Sequence, residues 1–282
     1  MGKVYGAFLR AVGGLSSALR KKEVVAVPKL TDTAHLLEGK IAFITGGSSG
    51  IGYAIAEAFI ACGCRVVITG TNEDKLSKAC ERLGESSRGI RMDVTDVPSI
   101  EKRLQEAVDQ FEEKRIDILV NSAGVTNHAD FFHMSESEYD SIMNINTKGT
   151  FFVSQAVSRH MINNSIKGHI LNVSSSSALR PAWTPYQMSK WAVRGFTIGL
   201  ADMLIPFGIV VNAIAPGPVA TPMLNRDDQN LQFENHPCKR LASPQEIANL
   251  AVFMVSDMGN LIVGDTFYIT GGSGIISNND IR

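Results

Sequence analysis

Tyr186 and Lys190 stand four residues apart in a stretch, 186–205, that reads as a helix, and at that spacing two side chains share one face. A tyrosine alone ionises near pH ~10. Held beside an ammonium group it gives up its proton more readily, and it can then trade a proton with a substrate oxygen near neutral pH. A second chemical signal lies far upstream. Thr45-Gly46-Gly47-Ser48-Ser49-Gly50-Ile51-Gly52 sits between an apolar run and a helical stretch. Glycines there admit positive φ and let the backbone approach a pyrophosphate, while the following helix offers that anion free N–H groups and its positive dipole end. Each signal alone is weak, because Tyr and Lys recur at this spacing by chance and any tight turn uses glycine.

These groups need a frame, and the order of the elements supplies one. From residue 40 onward, runs at 41–45, 65–69, 90–92, 116–121, 169–174, 209–215 and 266–269 read as strands. Most are nearly continuous in apolar residues, as burial on both faces requires. Between them, 53–62, 73–83, 100–111 and 186–205 read as helices, as do a long helix opened by Ser135 and Glu138 and another opened by Ser243-Pro244-Gln245-Glu246. Strand–helix alternation predicts an α/β fold: a doubly wound parallel sheet of Rossmann type, a single domain over 40–282. Residues 1–39 differ. Tyr5, Phe8, Leu9, Val12, Leu15 and Leu19 recur at helical intervals, Gly13 and Gly14 weaken the helix, and Pro28 ends it. An N-terminal helical arm is expected, laid on its own domain or on a partner subunit.

In this order the motifs resemble those of the short-chain dehydrogenase/reductase family, in its single-domain, 3-oxoacyl-reductase-like branch, over roughly 40–272. The spacings T-G-x-x-x-G-x-G and Y-x-x-x-K carry the likeness. The resemblance implies an oxidoreductase that moves a hydride between a nicotinamide cofactor and a small carbonyl or secondary alcohol. Tyr186 would exchange the proton, and Lys190 would also hold the nicotinamide ribose. Ser175 in Asn172-Val173-Ser174-Ser175 would hydrogen-bond the substrate oxygen. The loop from there to Tyr186 is shorter than the family's usual one, so Ser174 stays an alternative. Asn146 in Asn146-Thr147-Lys148-Gly149 is implied to kink its helix and to seat a water linking Lys190 to solvent. Around the cofactor, the resemblance places Gly46, Ser48, Ser49, Gly50, Ile51 and Gly52 at the pyrophosphate and Asp93 and Val94 at the adenine. It adds Asn121, Ala123 and Gly124 after the fourth strand, with Ser122 where the family has a second asparagine, and Pro216, Gly217, Val219 and Thr221 at the nicotinamide.

The second strand runs Val66-Val67-Ile68-Thr69 into Gly70-Thr71-Asn72. In such folds an acid at this point grips both ribose hydroxyls of NAD and repels the NADP phosphate. No acid is present. Thr71, Asn72 and the loop serines can donate to a 2′-phosphate, although no arginine stands at Thr71 or in the glycine loop. NADP(H) is therefore expected over NAD(H). A non-catalytic nucleotide-binding regulator on the same fold is the rival from another class; the joint presence of Ser175, Tyr186, Lys190 and Asn146 weighs against it.

Composition bounds the remainder. A chain of 282 residues with net charge −1 fits one large α/β domain and carries no basic field for nucleic acid. The four cysteines, Cys62, Cys64, Cys80 and Cys238, form no C-x-x-C pair, and the six histidines are scattered. No metal site or disulfide frame is expected, and a reducing cytoplasm is. No apolar run approaches the ~20 residues of a membrane span. His128 and His133 stand where a substrate mouth could lie, though exposure or packing explains each more simply. The segment 218–240 is expected to cover the substrate. Stretches 143–161 and 191–204 carry apolar residues on more than one face, among them Phe151, Phe152, Val157, Trp191, Phe196 and Leu200. That pattern predicts a homodimer or homotetramer.

Overall fold

The computed structural model describes residues 35–127, 129–224, 226 and 231–274. Positions 1–34, which hold nearly all of the expected arm, lie outside the described residues. Seven strands form one sheet: β1 (Ile41–Thr45), β2 (Arg65–Gly70), β3 (Ser87–Arg91), β4 (Ile118–Asn121), β5 (His169–Val173), β6 (Val210–Pro216) and β7 (Thr266–Ile269). Their order is β3-β2-β1-β4-β5-β6-β7 and each pairing is parallel. Between them run α1 (Gly50–Ala61), α2 (Glu73–Leu83), α3 (Val97–Val108), α4 (Glu136–Met143), α5 (Thr150–Asn163), α6 (Pro185–Leu204) and α7 (Pro244–Val255). This is the doubly wound parallel sheet that the alternation of elements predicts.

Strand β1 shows why the sequence takes this form. All five residues are buried, and successive side chains leave opposite faces. Ala42 and Ile44 pack in one layer with Ile55, Phe59, Ile247 and Ala251 of α1 and α7. Ile41 and Phe43 pack in the other with Leu104, Val153, Val157 and Leu200 of α3, α5 and α6. Each large side chain so buried contributes roughly 1.5–3 kcal/mol before entropy is charged against it. Leu37 is fully buried in the first layer and its N–H donates to the Cys62 carbonyl. The core therefore begins ahead of β1.

Three elements differ from expectation for physical reasons. β3 spans Ser87–Arg91, not 90–92. It is an edge strand in which only Ser87 and Ile90 are buried, so apolar periodicity marks its end alone. α3 starts and ends three residues early, and Phe111 buries itself from the following turn. The long helix expected from Ser135 is interrupted by a π-helical turn, Asn144–Gly149, between α4 and α5. Of the residues that suggested self-association, Val157 and Leu200 belong to this chain's own core, whereas Phe151 and Trp191 remain exposed.

The sheet order changes direction at β1 and β4. One connection leaves toward β2, the other toward β5, and a crevice opens beyond the strand tips, where ligands of such sheets bind. Thr45, Asn121 and Asn172 lie level in register at that edge.

Candidate active site

The crevice is a cleft of about 910 Å³, within the range of small-molecule and cofactor sites. Its floor is backbone. Gly46 has φ +66°, and a Cβ there would stand 2.8 Å from Ala123 Cα. Gly52 packs so closely on the Gly46 carbonyl that a Cβ would overlap it. The Thr45 hydroxyl accepts from the N–H groups of Ser122 and Ala123 at 3.1 and 3.2 Å, which clamps the loop after β4 to the tip of β1. Helices α2, α4, α6 and α7 are capped by the side chains of Asn72, Ser135, Thr184 and Ser243, but Ser49 ahead of α1 makes no side-chain cap. The first turn of α1 thus keeps its N–H groups for a ligand anion. A glycine cradle without Cβ atoms, an uncapped helix start and a cleft of this size fit a dinucleotide.

Gly46, Ser48, Ser49, Gly50, Ile51, Gly52, Thr71, Asp93, Val94, Ala123, Gly124, Pro216, Gly217, Val219 and Thr221 line the cleft. Asn121 does not. Its buried amide donates to Ser154 Oγ and Asn172 Oδ1, both at 2.9 Å, because the last side chain of β4 faces α5 and β5 and not the crevice. Its expected place at the cofactor is corrected to one of holding the strand tips. The Asp93 carboxylate accepts from the Thr95 amide and hydroxyl at 2.8 Å. Arg91 was missed. It pairs with Gly70 in register, and its Nε donates to the Thr71 carbonyl at 3.2 Å. An arginine therefore does stand beside Thr71, reaching it from the neighbouring strand. The signal was its place at the carboxyl end of a strand next to β2. Asn72 Oδ1 is occupied by the Lys75 amide.

The Ser, Tyr and Lys of the sequence motifs converge deeper in the cleft. Thr184 and Gln187 form a capping box with Pro185 in the first turn, which fixes where α6 begins and hence where Tyr186 sits. Ser175 hydrogen-bonds the Tyr186 phenol, and its Oγ accepts from the Ser177 N–H at 3.1 Å. Ser174 turns away: its hydroxyl donates to the Lys190 carbonyl at 3.0 Å and it is buried. Lys190 Nζ donates to the Val173 carbonyl at 2.9 Å and lies 5.6 Å from the Tyr186 ring centroid.

Burial lowers the Lys190 pKa from its ordinary 10.5 to about 8. Burial also raises that of Tyr186, against the pull of the Ser175 hydrogen bond. The expected easing of tyrosine ionisation is thus corrected for the protein alone, since desolvation outweighs the Ser175 hydrogen bond. The phenol stays protonated at neutral pH.

Asn146 sits inside the π turn and is buried. Its Oδ1 accepts from the Val125 N–H at 2.9 Å, and its Nδ2 donates to the Val125 carbonyl and to Ser189 Oγ, both at 3.0 Å. Ser189 donates in turn to the Tyr186 carbonyl at 2.7 Å. Ser189, unmarked within the Y-x-x-x-K spacing, so joins the π turn to the first turn of α6. A Cβ on Gly124 would lie 3.4 Å from Asn146 Oδ1 and 3.6 Å from Lys190 Nζ, which puts both atoms around one small space.

Met223 and Leu224 line the cleft from the segment expected to cover it, as do Ser176, Ser177 and Arg180 from the turn after β5. His133 is exposed and bonded to Asp130, away from the cleft, and His128 lies outside the described residues.

A family model described as enoyl-(acyl carrier protein) reductase matches residues 46–273. The 3-oxoacyl-[acyl-carrier-protein] reductase FabG of Vibrio harveyi is 39% identical over 241 residues, covering 84% of this chain and 98% of that protein. The (2S)-[(R)-hydroxy(phenyl)methyl]succinyl-CoA dehydrogenase subunit BbsD of Thauera aromatica is 34% identical over 250 residues, covering 86% and 99%. A crystal structure of 3-ketoacyl-(acyl-carrier-protein) reductase from Brucella melitensis, complexed with NADH, matches with a TM-score of 0.78 at 28% identity, covering 85% of this chain and 100% of that one. Joined to the Rossmann cradle and the Ser–Tyr–Lys cluster beside it, these likenesses place the chain in the short-chain dehydrogenase/reductase family, as a nicotinamide-dependent oxidoreductase acting on carbonyl and CH–OH groups.

Proposed function

We propose that the protein reduces the ketone of a small 3-oxoacyl-type or related carbonyl substrate, with NADPH as preferred donor. The observation that carries this reading is the pair of neighbouring hydroxyls, Ser175 and Tyr186, beside buried Lys190. Ser175 accepts from Ser177, and the hydroxyl hydrogen it turns toward the Tyr186 phenol can donate instead to a substrate oxygen placed between the two. Tyr186, kept protonated by burial, donates a proton to the same oxygen as the carbonyl becomes an alkoxide. When bound, the reduced nicotinamide supplies the hydride. Lys190 remains largely charged at pH 7 and stabilises the phenolate left behind. A water in the space above Gly124 would bridge Lys190 to Asn146 and return the proton. No observation favours a non-catalytic regulator.

Arg91 supports the preference for NADPH. Its guanidinium reaches the Thr71 carbonyl, and among the described residues it has no acidic partner. A Cβ on Gly70 would meet Ser48 Oγ at 3.1 Å, so the site has little room for the acid that NAD enzymes place there. The test is a carbonyl panel followed by nicotinamide absorbance with both cofactors. The wild type is expected to favour NADPH in kcat/KM, and Arg91→Ala is expected to weaken 2′-AMP binding by about tenfold, as loss of a charge-assisted hydrogen bond does, while leaving 5′-AMP binding unchanged. Equal use of NADH by the wild type would remove the preference.

Self-association belongs to the same reading. Phe151 and Trp191 are 44% and 41% exposed on α5 and α6, and Phe151 stacks near Phe196 with centroids 5.3 Å apart. We infer a homodimer or homotetramer that covers them in a cytoplasmic enzyme. Among the described residues no helix is long and apolar enough to cross a membrane. Light scattering at micromolar concentration should show an oligomer, and Phe151→Asp should shift it toward monomer.

A further inference from the structure

Charge is unevenly spread along the cleft. Among the described residues that line it, only Asp93, Arg180 and Lys190 have acidic or basic side chains. Asp93 stands at the adenine end, tied to Thr95. Among the described residues the substrate end therefore carries two cations and no anion. Lys190 has its place beside Tyr186. Arg180 has none in the proposed chemistry.

Arg180 is held in position by its own backbone and by the chain beyond the strand that closes the sheet. It follows the short 3₁₀ turn Ser176–Leu179, and its carbonyl accepts from the Trp191 indole at 2.9 Å, which anchors it to α6. Its Nη2 donates to Ser273 Oγ at 2.8 Å, beyond β7. The guanidinium lies against the chain at Gly274, where a Cβ would stand 3.1 Å from Nε. Among the described residues it forms no ion pair. Ser176, Ser177 and Ser273 line the cleft beside it, and the Ser176 and Ser177 hydroxyls bond to no protein atom among the described residues. An unpaired guanidinium among hydroxyls in a cleft is what recognises a carboxylate or phosphate.

We propose that Arg180, with Ser176 and Ser177, forms an anion subsite, so that the substrate carries a negative group apart from the carbonyl that Tyr186 protonates. This rests on the reductase reading above. The anion is either a carboxylate of the substrate itself or a phosphate of the carrier to which an acyl group is attached. Met223 and Leu224 add apolar surface to the same cleft, to which the carbon chain of such a substrate can pack.

Two matched pairs of substrates test the subsite: a 3-oxo acid against its methyl ester, and an acetoacetyl thioester of coenzyme A against that of N-acetylcysteamine, which has no phosphate. The wild type should favour the anionic member of one pair by at least about tenfold in kcat/KM, the scale of a hydrogen bond to a charged group. Arg180→Met should erase that advantage and leave the neutral member's rate within about twofold, and Arg180→Lys should retain part of it. Which pair shows the effect identifies the carboxylate or the phosphate. An equal loss on both members of each pair would assign Arg180 only to holding Ser273 and Gly274, and would overturn the subsite, as would a wild type indifferent to charge. If no carbonyl is turned over with either cofactor, the reductase reading fails by itself. The subsite then stands or falls on calorimetric titration of acetoacetate and, separately, of coenzyme A into the NADP⁺-loaded protein. Binding of either by the wild type and its loss in Arg180→Met supports it, and equal or absent binding of both probes overturns it.

Discussion

At the cofactor end of the cleft the walls are backbone: glycines whose missing Cβ atoms make the room, N–H groups at the start of α1, and a threonine hydroxyl that clamps one loop to another. At the substrate end they are side chains brought from the turn after β5, the segment after β6 and the chain after β7. The first kind of wall tolerates almost no substitution and says little about which ligand is bound beyond its diphosphate. The second kind can change residue by residue without disturbing the sheet. Shared chemistry and private specificity are thereby separated within one cavity.

The largest effect should come where the two ends meet. Tyr186→Phe removes the proton donor and is expected to cost at least ~10²–10⁴-fold in kcat, with dinucleotide affinity nearly unchanged by calorimetry. Near-normal turnover would break the assignment. Next, Ser175→Ala should reduce kcat far more than Ser174→Ala. Ser174 donates to the Lys190 carbonyl inside the core, so its loss should appear mainly as about 1 kcal/mol of stability. The opposite ranking in kcat would give Ser174 the role at the substrate oxygen.

The smallest effect is on stability and has the less familiar sign. Burial holds the Lys190 pKa near 8, below its ordinary 10.5. Folding thus disfavours the charged form, and below about pH 8 the folded protein carries that penalty in full. The penalty fades as pH rises toward 10.5. At the full shift it is on the order of 3 kcal/mol, offset by roughly 1 kcal/mol for the bond to Val173. Lys190→Met should therefore be inactive yet unfold a few degrees higher than the wild type at pH 7, with the gain disappearing near pH 10.5. A lower melting point at pH 7 would show that the ammonium group is stabilised by contacts other than the one to Val173.

Legibility in the sequence followed the same division. The cradle could be read because its requirements are local: glycine spacing between a strand and a helix survives as a string. Tyr186 and Lys190 could be read because one helical turn joins them. Arg91 could not, since its relation to Thr71 exists only across two strands paired in register, twenty residues apart in the chain. Arg180 and Ser273 are separated further still and meet only once β7 closes the sheet. Asn121 misled for the converse reason: its place in a familiar string said where its backbone lies but not which way its amide faces. The edge strand β3 was foreshortened because only two of its residues are buried.

The π turn at Asn144–Gly149 has one more consequence, a matter of phase. A residue advances an α-helix by about 100°, and a π turn arises where one extra residue is accommodated. Deleting a residue there would restore an even ladder and swing all of α5 by that angle about its axis. Val153, Val157 and Met161, which now face the sheet, would be turned aside. The alternative, keeping α5 in place, would turn the capping box of Ser135 and the whole of α4 instead. The surplus residue is a rotational offset that lets one continuous rod satisfy two surfaces whose demands are out of step, with Asn146 at the point where the mismatch is absorbed.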